Sequence, residues 1–356
     1  MMEMTSMGSS QVQAAPVHRP VGFHKQRSCC CRLIVCCSTT LCCLFSCLVV
    51  VTVFSAALAE IWTRPDSNPH KGSVGWNTTG STVGGNHWCS VEAPAANWTL
   101  RCESTSFRLS VVSYNLFWWN LFGDRHGNRG SAGKLLASAY EAEPFDLVGF
   151  QECQDVALVF RDAGLEDAFG TVVGKREIVI DGHCKQELGC RAIALAYQKS
   201  RWALLQHGLT EVAEDSPLQF YGRCSVLWAR FRNIETGAVV FFMNHHGPLP
   251  VNSGGLCGGR ATAYNILRVA GYFAHPGDDV VLVGDFNADP TSMTIKELSN
   301  HLGRAYTGRS FNGVDNFFTS CGRLAHVQNL GTGGSDHDAL RATFDFGHAT
   351  PSLSVV

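Results

Sequence analysis

Short apolar runs recur through most of the chain, and each of them ends in polar residues. From residue 107 onward the runs are Leu109–Val112, Leu147–Phe150, Ala192–Ala196, Val239–Met243 and Val280–Val283. Their shortness and their Val and Phe content are typical of buried strands rather than helices. Segments with a helical pattern lie between some of them, at Ser131–Glu141, Arg260–Phe273 and Thr291–His301. This order predicts two sheets packed face to face and covered by helices, within one domain over residues 107–347.

The longest apolar run lies near the amino terminus. Residues 33–59 carry no charged side chain, and a helix of this length spans about 40 Å, enough to cross a hydrocarbon core of about 30 Å. Residues 1–32 contain four basic side chains against one acidic one, namely Arg19, Lys25, Arg27 and Arg32 against Glu3. By the positive-inside rule, the pattern predicts a single-pass signal anchor with a cytoplasmic amino terminus. Everything after Ala59 would then be lumenal or extracellular. A signal peptide cleaved after Ala59 is the alternative.

The cysteines divide in the same way. Of the 16 cysteines, one group lies between Cys29 and Cys47, in or beside the apolar run, and the other is spread from Cys89 to Cys321. In an oxidising compartment the second group is available for disulfides, and Cys89–Cys102 and Cys184–Cys190 would close short loops. Outside the membrane run, no cysteine spacing is typical of a structural zinc site.

Residues 60–106 are rich in Gly, Ser, Thr, Asn and Pro and have no sustained periodicity. This composition predicts a stalk between the anchor and the folded domain. The stalk contains two sequons, so Asn77 and Asn97 are candidate glycosylation sites. Residues 348–356 are interpreted as a short tail.

The net charge of the chain excludes one class of function. The formal net charge is -2, with 28 Lys and Arg against 30 Asp and Glu. A protein that coats nucleic acid through its basic side chains normally has a strong positive excess, so that class is excluded. An acidic catalytic site that gains a cation is compatible with this balance.

The chemistry-bearing residues follow the predicted strands. They form six fragments, Ser113-Tyr114-Asn115, Gln151-Glu152, Asn244-His245-His246, Gly284-Asp285-Phe286-Asn287, Val314-Asp315 and Ser335-Asp336-His337. If the strand ends meet at one edge of the sandwich, carboxylates, amides and imidazoles gather there. Such a set supplies hard oxygen ligands for Mg²⁺ or Ca²⁺ and imidazoles for proton transfer.

These fragments, in this order, resemble the endonuclease/exonuclease/phosphatase superfamily, and the resemblance covers about 240 residues, Phe107 to Phe346. It implies a four-layer α/β sandwich, in agreement with the strand and helix pattern. It also implies a hydrolase that depends on a divalent metal and acts on phosphoric esters, with Mg²⁺ as the expected ion and Mn²⁺ or Ca²⁺ as alternatives.

The resemblance also implies roles for single residues. Glu152 corresponds to the main metal-binding carboxylate, with Asn115 beside it and Asp336 near the metal. Asp285 corresponds to the carboxylate that orients or deprotonates the attacking water, and Asn287 to the amide that holds a phosphate oxygen. His337 corresponds to the histidine that faces the scissile phosphate, and Asp315 to its carboxylate partner. His246 fits the second histidine better than His245 does, because it holds the third position of an Asn-x-His element.

Several activities stay open within this family. The sequence Gly284–Asp289 is similar to that of deoxyribonuclease-like members, which favours a membrane-anchored nuclease. A lipid phosphodiesterase of the sphingomyelinase type is the second interpretation, since an anchor would hold the site near phospholipid. A phosphatase of the same superfamily is the third, although the inositol-phosphatase signatures are absent. A non-catalytic binding domain is disfavoured because every principal acidic and imidazole position is filled. The sequence indicates no protein partner.

Overall fold

The structure is a computed structural model. It describes residues 89–94, 106–117, 130–153, 155–174, 179–180, 183–184, 192–219 and 222–347, all within the compact unit that spans residues 75–356. The predicted anchor at 33–59, the segments 1–32 and 348–356, Asn77 and Asn97 lie outside the described residues and stay predictions. In the part of the chain that is described, no helix is both long and apolar enough to cross a membrane.

The described residues contain strands that account for each predicted apolar run. In chain order the strands are β1 (Phe107–Asn115), β2 (Leu147–Gln151), β3 (Phe169–Val173), β4 (Val179–Ile180), β5 (His183–Cys184), β6 (Ala194–Gln198), β7 (Trp202–Glu214), β8 (Arg223–Asn233), β9 (Val239–His246), β10 (Asp279–Asp285), β11 (Gly303–Thr307), β12 (Asp315–Thr319), β13 (Arg323–Gly331) and β14 (Ala339–Phe346). The helices are α1 (Ser131–Ala142), α2 (Val156–Ala163), α3 (Gly259–Phe273) and α4 (Met293–Ser299).

Three of these helices match the predicted ones to within two residues at each end. The predicted helix at 291–301 is shorter in the structure, because the Ser292 side chain caps α4 by accepting a hydrogen bond from the Ile295 N–H at 3.2 Å. A serine at this position satisfies one of the free N–H groups of the first turn, and it thereby fixes where the helix begins.

Two six-stranded mixed sheets form the centre of the fold. Their strand orders are β13-β14-β1-β2-β6-β3 and β11-β12-β10-β9-β8-β7. The neighbours β1 and β2 are parallel, as are β9 and β10. One apolar core lies between the two sheets. A second core joins α1 and α2 to the first sheet, and a third joins α3 and α4 to the second. The predicted four-layer α/β sandwich is therefore confirmed.

Alternation along the strands assigns each side chain to a layer. In β9, Val240 and Phe242 pack between the sheets, while Phe241 and Met243 pack against the helices. Close packing of the sheets also depends on Gly149 in β2. A Cβ at this position would lie 2.7 Å from Val283 Cγ2 of the facing sheet.

The disulfide of Cys89 differs from the prediction. Cys89 is bonded to Cys257, which is 168 residues away and has a Cα–Cα distance of 4.7 Å, so the expected Cys89–Cys102 pairing is wrong. Sequence proximity favoured the short loop, whereas the fold brings residues 89–94 against the start of α3. Cys224 and Cys321 are disulfide-bonded as well. Cys190 lies outside the described residues, so the Cys184–Cys190 pairing stays a prediction.

Candidate functional site

Polar side chains replace apolar ones at the last inward-facing position of several strands. Asn115 ends β1, His246 ends β9 and Asp285 ends β10, and all three are buried. Asp315 begins the antiparallel strand β12, directly opposite Asp285. Because β1 and β2 run in parallel, as do β9 and β10, their carboxyl ends meet at one edge of the sandwich. The structure therefore brings these predicted residues together.

Asp285 lies at the centre of the cluster. Its Oδ2 accepts a hydrogen bond from Asn115 Nδ2 at 3.0 Å, and its Oδ1 accepts one from the Asn287 N–H at 2.8 Å. The same Oδ2 is 3.6 Å from Nε2 of both His246 and His337. Burial acts to raise the pKa of Asp285, but the two imidazoles and these hydrogen bonds lower it below the usual value. Asp285 is therefore an ionised carboxylate between two histidines.

The backbone turns sharply on either side of Asp285. At Gly284 a Cβ would lie 1.9 Å from the carbonyl oxygen of His245, so no larger residue fits there. Asn287 adopts a positive φ of 46°, a region in which asparagine is tolerated better than most residues. Its Nδ2 donates to the Gly247 carbonyl at 2.9 Å. The Gly-Asp-Phe-Asn motif is thus held against the strand end that carries His246.

Glu152 directly follows β2, with a φ of 48°. Its Oε1 accepts a hydrogen bond from Asn115 Nδ2 at 3.3 Å and lies 3.9 Å from His246 Nε2. Its Oε2 is buried and has no hydrogen-bond partner. Burial first, and then the charge of Asp285, raise the pKa of Glu152 to about 7. A cation beside this carboxylate would reverse that effect.

His337 forms an ion pair with Asp315. Its Nδ1 lies 3.0 Å from Asp315 Oδ2 and 3.2 Å from Oδ1. Burial acts to lower the pKa of His337, but Asp285, followed by the hydrogen bond and charge of Asp315, raises it to about 10. Burial raises the pKa of Asp315 to about 6, while His337 opposes the rise. At neutral pH the pair is therefore an imidazolium with a carboxylate.

Ser335 fixes the backbone that carries this histidine. Its hydroxyl donates to the Asn115 carbonyl at 2.7 Å and accepts from the His337 N–H at 3.1 Å. The Ser-Asp-His fragment is in this way attached to the end of β1. Asp336 lies between these two residues, but its side chain is exposed and outside the buried cluster. Its proposed place near a metal stays a prediction.

The two neighbouring histidines of β9 face opposite layers. His246 faces the site, whereas His245 points to the helix layer, with its Nδ1 3.0 Å from the Ser225 carbonyl oxygen and its ring 5.5 Å from that of Phe286. Burial lowers the pKa of His245 to about 4 and lowers the pKa of His246 below its ordinary value. The structure thus places His246 at the cluster, as the Asn-x-His spacing indicates.

Beneath the cluster, two buried amides join the sheets. Gln151 Nε2 donates to Asn244 Oδ1 at 2.6 Å, and Asn244 Nδ2 donates to the carbonyl oxygens of Phe150 at 2.7 Å and of Ala194 at 3.2 Å. Both amides belong to the sequence fragments that follow the strands, but the sequence predicts no role for either. Their positions in the sequence could have indicated such a role. Gln151 directly precedes Glu152, and Asn244 lies two residues before His246, on the same face of β9.

The sequence analysis does not predict that Phe311 lies at the site. Its ring lies 4.8 Å from that of His337, its side chain is 53% exposed, and its φ is 44°. An aromatic residue in this strained and exposed conformation beside a charged imidazole marks the edge of the site. Nothing in the local sequence separates this phenylalanine from the other 20 in the chain.

Two overlapping donor sets fit a divalent cation. The carboxylates of Glu152 and Asp285 offer hard oxygen atoms, and the unpartnered Oε2 of Glu152 is available for a ligand. Asn115 directs its Nδ2 at both carboxylates, while its Oδ1 accepts a hydrogen bond from the Phe117 N–H at 3.0 Å. One ligand atom each from Asp285, Asp315 and His337 also lies within 4.8 Å of the others. Since Asp315 and the protonated His337 already pair with each other, the oxygen set is the better fit for a hard divalent cation.

Solved structures share this fold. An endonuclease/exonuclease/phosphatase family protein from Bacteroides thetaiotaomicron aligns with a TM-score of 0.52 and 18% identity, covering 68% of this chain and 99% of its own. A second such protein, from Bacteroides vulgatus, aligns with a TM-score of 0.51 and 18% identity, covering 67% and 99%. A mannosyl-6-phosphatase from B. thetaiotaomicron aligns with a TM-score of 0.50 and 18% identity, covering 66% and 98%. At such identities the likeness shows the fold alone.

The sequence comparisons give two results. No curated protein matches the chain. The sequence profile of the Endonuclease/Exonuclease/phosphatase family matches residues 117–344, which is more than half of the 356 residues. The matched region contains the end-of-strand carboxylates and histidines described above, apart from Asn115 just before it. The chain therefore belongs to the endonuclease/exonuclease/phosphatase family.

Proposed function

We propose that this protein is a divalent-metal-dependent phosphodiesterase, and that it acts as a nuclease anchored to a membrane. The observation that carries the proposal is the partly buried Glu152 carboxylate, with its buried and unpartnered Oε2, beside the ionised Asp285 and the charged His337. Burying this many carboxylates is costly unless a cation or another positive group offsets them. Membership of the family supports hydrolysis of phosphoric esters.

Glu152 and Asp285 would hold the metal, with Asp336 near it. Asn115 would join them through its Oδ1 after its amide turns, since its Nδ2 faces both carboxylates in the structure. Mg²⁺ suits these hard oxygen ligands, and Mn²⁺ and Ca²⁺ are alternatives. A bound divalent ion would supply Lewis-acid stabilisation of negative charge on the phosphoryl oxygens.

The other side chains are arranged for proton transfer and charge stabilisation. His337 is held as an imidazolium by Asp315 and can donate to a phosphoryl oxygen that gains negative charge. Asp285 Oδ2, which already lies between the two imidazoles, is a hydrogen-bond acceptor for an attacking water. Burial keeps His246 neutral, so it can serve either as a donor or as an acceptor. Asn287 completes the set as the amide proposed to contact a phosphate oxygen.

Three classes of substrate are candidates for this site. The Gly284–Asp289 sequence favours a nucleic acid. A phospholipid is the second candidate, and the exposed apolar residues near the site favour it. A soluble phosphoric monoester, as for a phosphatase, is the third.

Turnover by the full-length chain in detergent tests the function. Plasmid DNA, RNA, sphingomyelin and p-nitrophenyl phosphate, a soluble monoester, are each incubated with Mg²⁺ or with EDTA. We expect EDTA-sensitive cleavage of at least one, and losses of about 10²-fold or more in Glu152→Gln, Asp285→Ala and His337→Ala. Glu235→Gln and His326→Ala change exposed residues of the same types and should keep full activity. Near wild-type turnover in all three site variants would refute the assignment, and no product from any ester would favour a binding domain.

We further propose that residues 33–59 anchor the protein, with the amino terminus in the cytoplasm and the catalytic domain lumenal or extracellular. The excess of basic residues before the run and the disulfide of Cys89 support this orientation. In microsomes the catalytic domain should resist added protease, and endoglycosidase should lower its mass through Asn77 or Asn97. Digestion of the domain without detergent would contradict the orientation.

A further inference from the structure

Exposed large apolar side chains are concentrated near the site. Among the described residues, nine such side chains are prominently exposed. Five of these lie on segments that adjoin one another beside the cluster, and we name them the apolar rim: Val91, Val251, Leu256, Met293 and Phe311. Single exposed apolar residues are common on protein surfaces, but a contiguous group indicates an interaction surface.

Hydrogen bonds and packing make one half of the rim continuous. Asn252, next to Val251, donates from Nδ2 to Asp289 Oδ2 at 2.8 Å and accepts the Asp289 N–H at the same distance. This pair joins the loop of Val251 to the turn that leads into Met293. A Cβ at Gly259 would lie 3.1 Å from Met293 Cβ, which places the start of α3 beside Met293 as well.

The Cys89–Cys257 disulfide joins the two remaining segments of the rim, those of Val91 and Leu256. Cys257, next to Leu256, is bonded to Cys89, and Val91 is two residues further along. Arg268 of α3 donates to Ser90 Oγ at 3.3 Å and also to the Glu92 carbonyl. Val91 is therefore held on the same surface as Leu256.

The rim borders the catalytic cluster. The Asn252 N–H donates to the Asn287 carbonyl at 2.7 Å, and the ring of Phe311 contacts that of His337, with the two planes tilted by 43°. The loop of Phe311 also adjoins the turn before Met293, since a Cβ at Gly313 would lie 3.2 Å from Pro290 Cδ. A flat apolar phase that contacts the rim would thus lie next to the proposed phosphoester site.

We propose that the apolar rim docks on the phospholipid surface of a bilayer, which places the site at the level of the lipid headgroups. The chain itself indicates this occupant. It enters the rim at Cys89, and 29 residues separate Cys89 from the uncharged run that ends at Ala59. This inference rests on the proposed anchor at residues 33–59: a linker of this length reaches about 100 Å at most, and it would hold the domain near a bilayer at an effective concentration of about millimolar. Weak insertion of a few apolar side chains is then sufficient for docking.

Photo-crosslinking tests the docking without any catalytic turnover. The full-length chain is reconstituted in phosphatidylcholine vesicles that contain a diazirine-bearing phosphatidylcholine, and lipid adducts are mapped by mass spectrometry. We expect adducts on the peptides around Val91, Leu256 and Met293. We expect none around Ile234, which is equally apolar and exposed but lies before β9, at the end of that strand opposite His246.

Variants make the result specific. Val251→Asp combined with Leu256→Asp should abolish most rim adducts, whereas Ile234→Asp should leave them unchanged. All three substitutions should preserve hydrolysis of bis(p-nitrophenyl) phosphate, a soluble diester, so failure of docking is distinguishable from failure of the proposed function. Adducts confined to residues 33–59, adducts spread evenly over the domain, or protein–protein crosslinks through the rim would each overturn the proposal, the last by showing that a second copy covers it.

Discussion

Asn244 provides a direct test of how the floor of the site is held. In Asn244→Ala three buried hydrogen bonds are lost, one from Gln151 at 2.6 Å and two to the carbonyl oxygens of Phe150 and Ala194. A buried hydrogen bond contributes about 1 kcal/mol to stability, so the free energy of unfolding should fall by about 3 kcal/mol. For a domain of this size, each kcal/mol lowers the melting temperature by about 2–4 °C. The expected decrease is therefore about 6–12 °C.

Thermal unfolding of the full-length chain in detergent, followed by circular dichroism, measures the change. The matched control is Asn329→Ala, because Asn329 also makes side-chain hydrogen bonds, to Asp338 at 2.8 Å and from the Gly331 N–H at 2.8 Å, but is exposed. Water can replace the hydrogen bonds of an exposed side chain, so the control should melt within about 2 °C of the wild type. Equal effects of the two substitutions, or a change below about 2 °C for Asn244→Ala, would refute the reasoning that the buried amide joins the sheets.

Two further predictions concern the sheet contact and the ion pair. In Gly149→Ala the new methyl group meets Val283 Cγ2 at 2.7 Å; this overpacking should cost about 1–3 kcal/mol in a urea titration, and an unchanged midpoint would show that the sheets separate freely. In Asp315→Asn the imidazole of His337 loses a charged partner, so its pKa should fall from about 10 toward the ordinary value of 6.5. Histidine ¹³C chemical shifts recorded against pH in EDTA, with His337→Ala to assign the signal, would measure this, and a pKa that stays near 10 would contradict the role given to Asp315.

Much of the fold follows from the pattern of short apolar runs, and the differences in strand length are informative. The run Val239–Met243 predicts β9, but the strand continues to His246. In the same way β10 extends from the apolar Val280–Val283 to Asp285. The polar residues were interpreted as following the strands, whereas they are the last residues within them. Apolar character identifies the buried part of a strand, and the site begins where inward-facing positions become polar.

Long-range contacts could not be predicted in this way. The Cys89–Cys257 bond joins positions that only the folded sandwich brings together, and eight cysteines allow 105 pairings. Phe311 contacts His337 across 26 residues through a loop with a positive φ, and no local preference of phenylalanine indicates that conformation. The short motifs follow from local sequence, whereas contacts between distant positions follow only from the folded chain.

The two histidines of the cluster show why composition alone does not define a mechanism. Both are buried, and Nε2 of each lies 3.6 Å from the same Asp285 oxygen. The difference is at Nδ1, which faces Asp315 in His337 and has no partner in His246. Burial therefore prevails at His246 and lowers its pKa, while the second carboxylate outweighs burial at His337 and raises its pKa. Two histidines whose pKa values shift in opposite directions around one carboxylate can have different roles. One stabilises negative charge, and the other exchanges a proton. Asp315 acts only through its ion pair with His337, and it is thus the residue that gives the two histidines different pKa values.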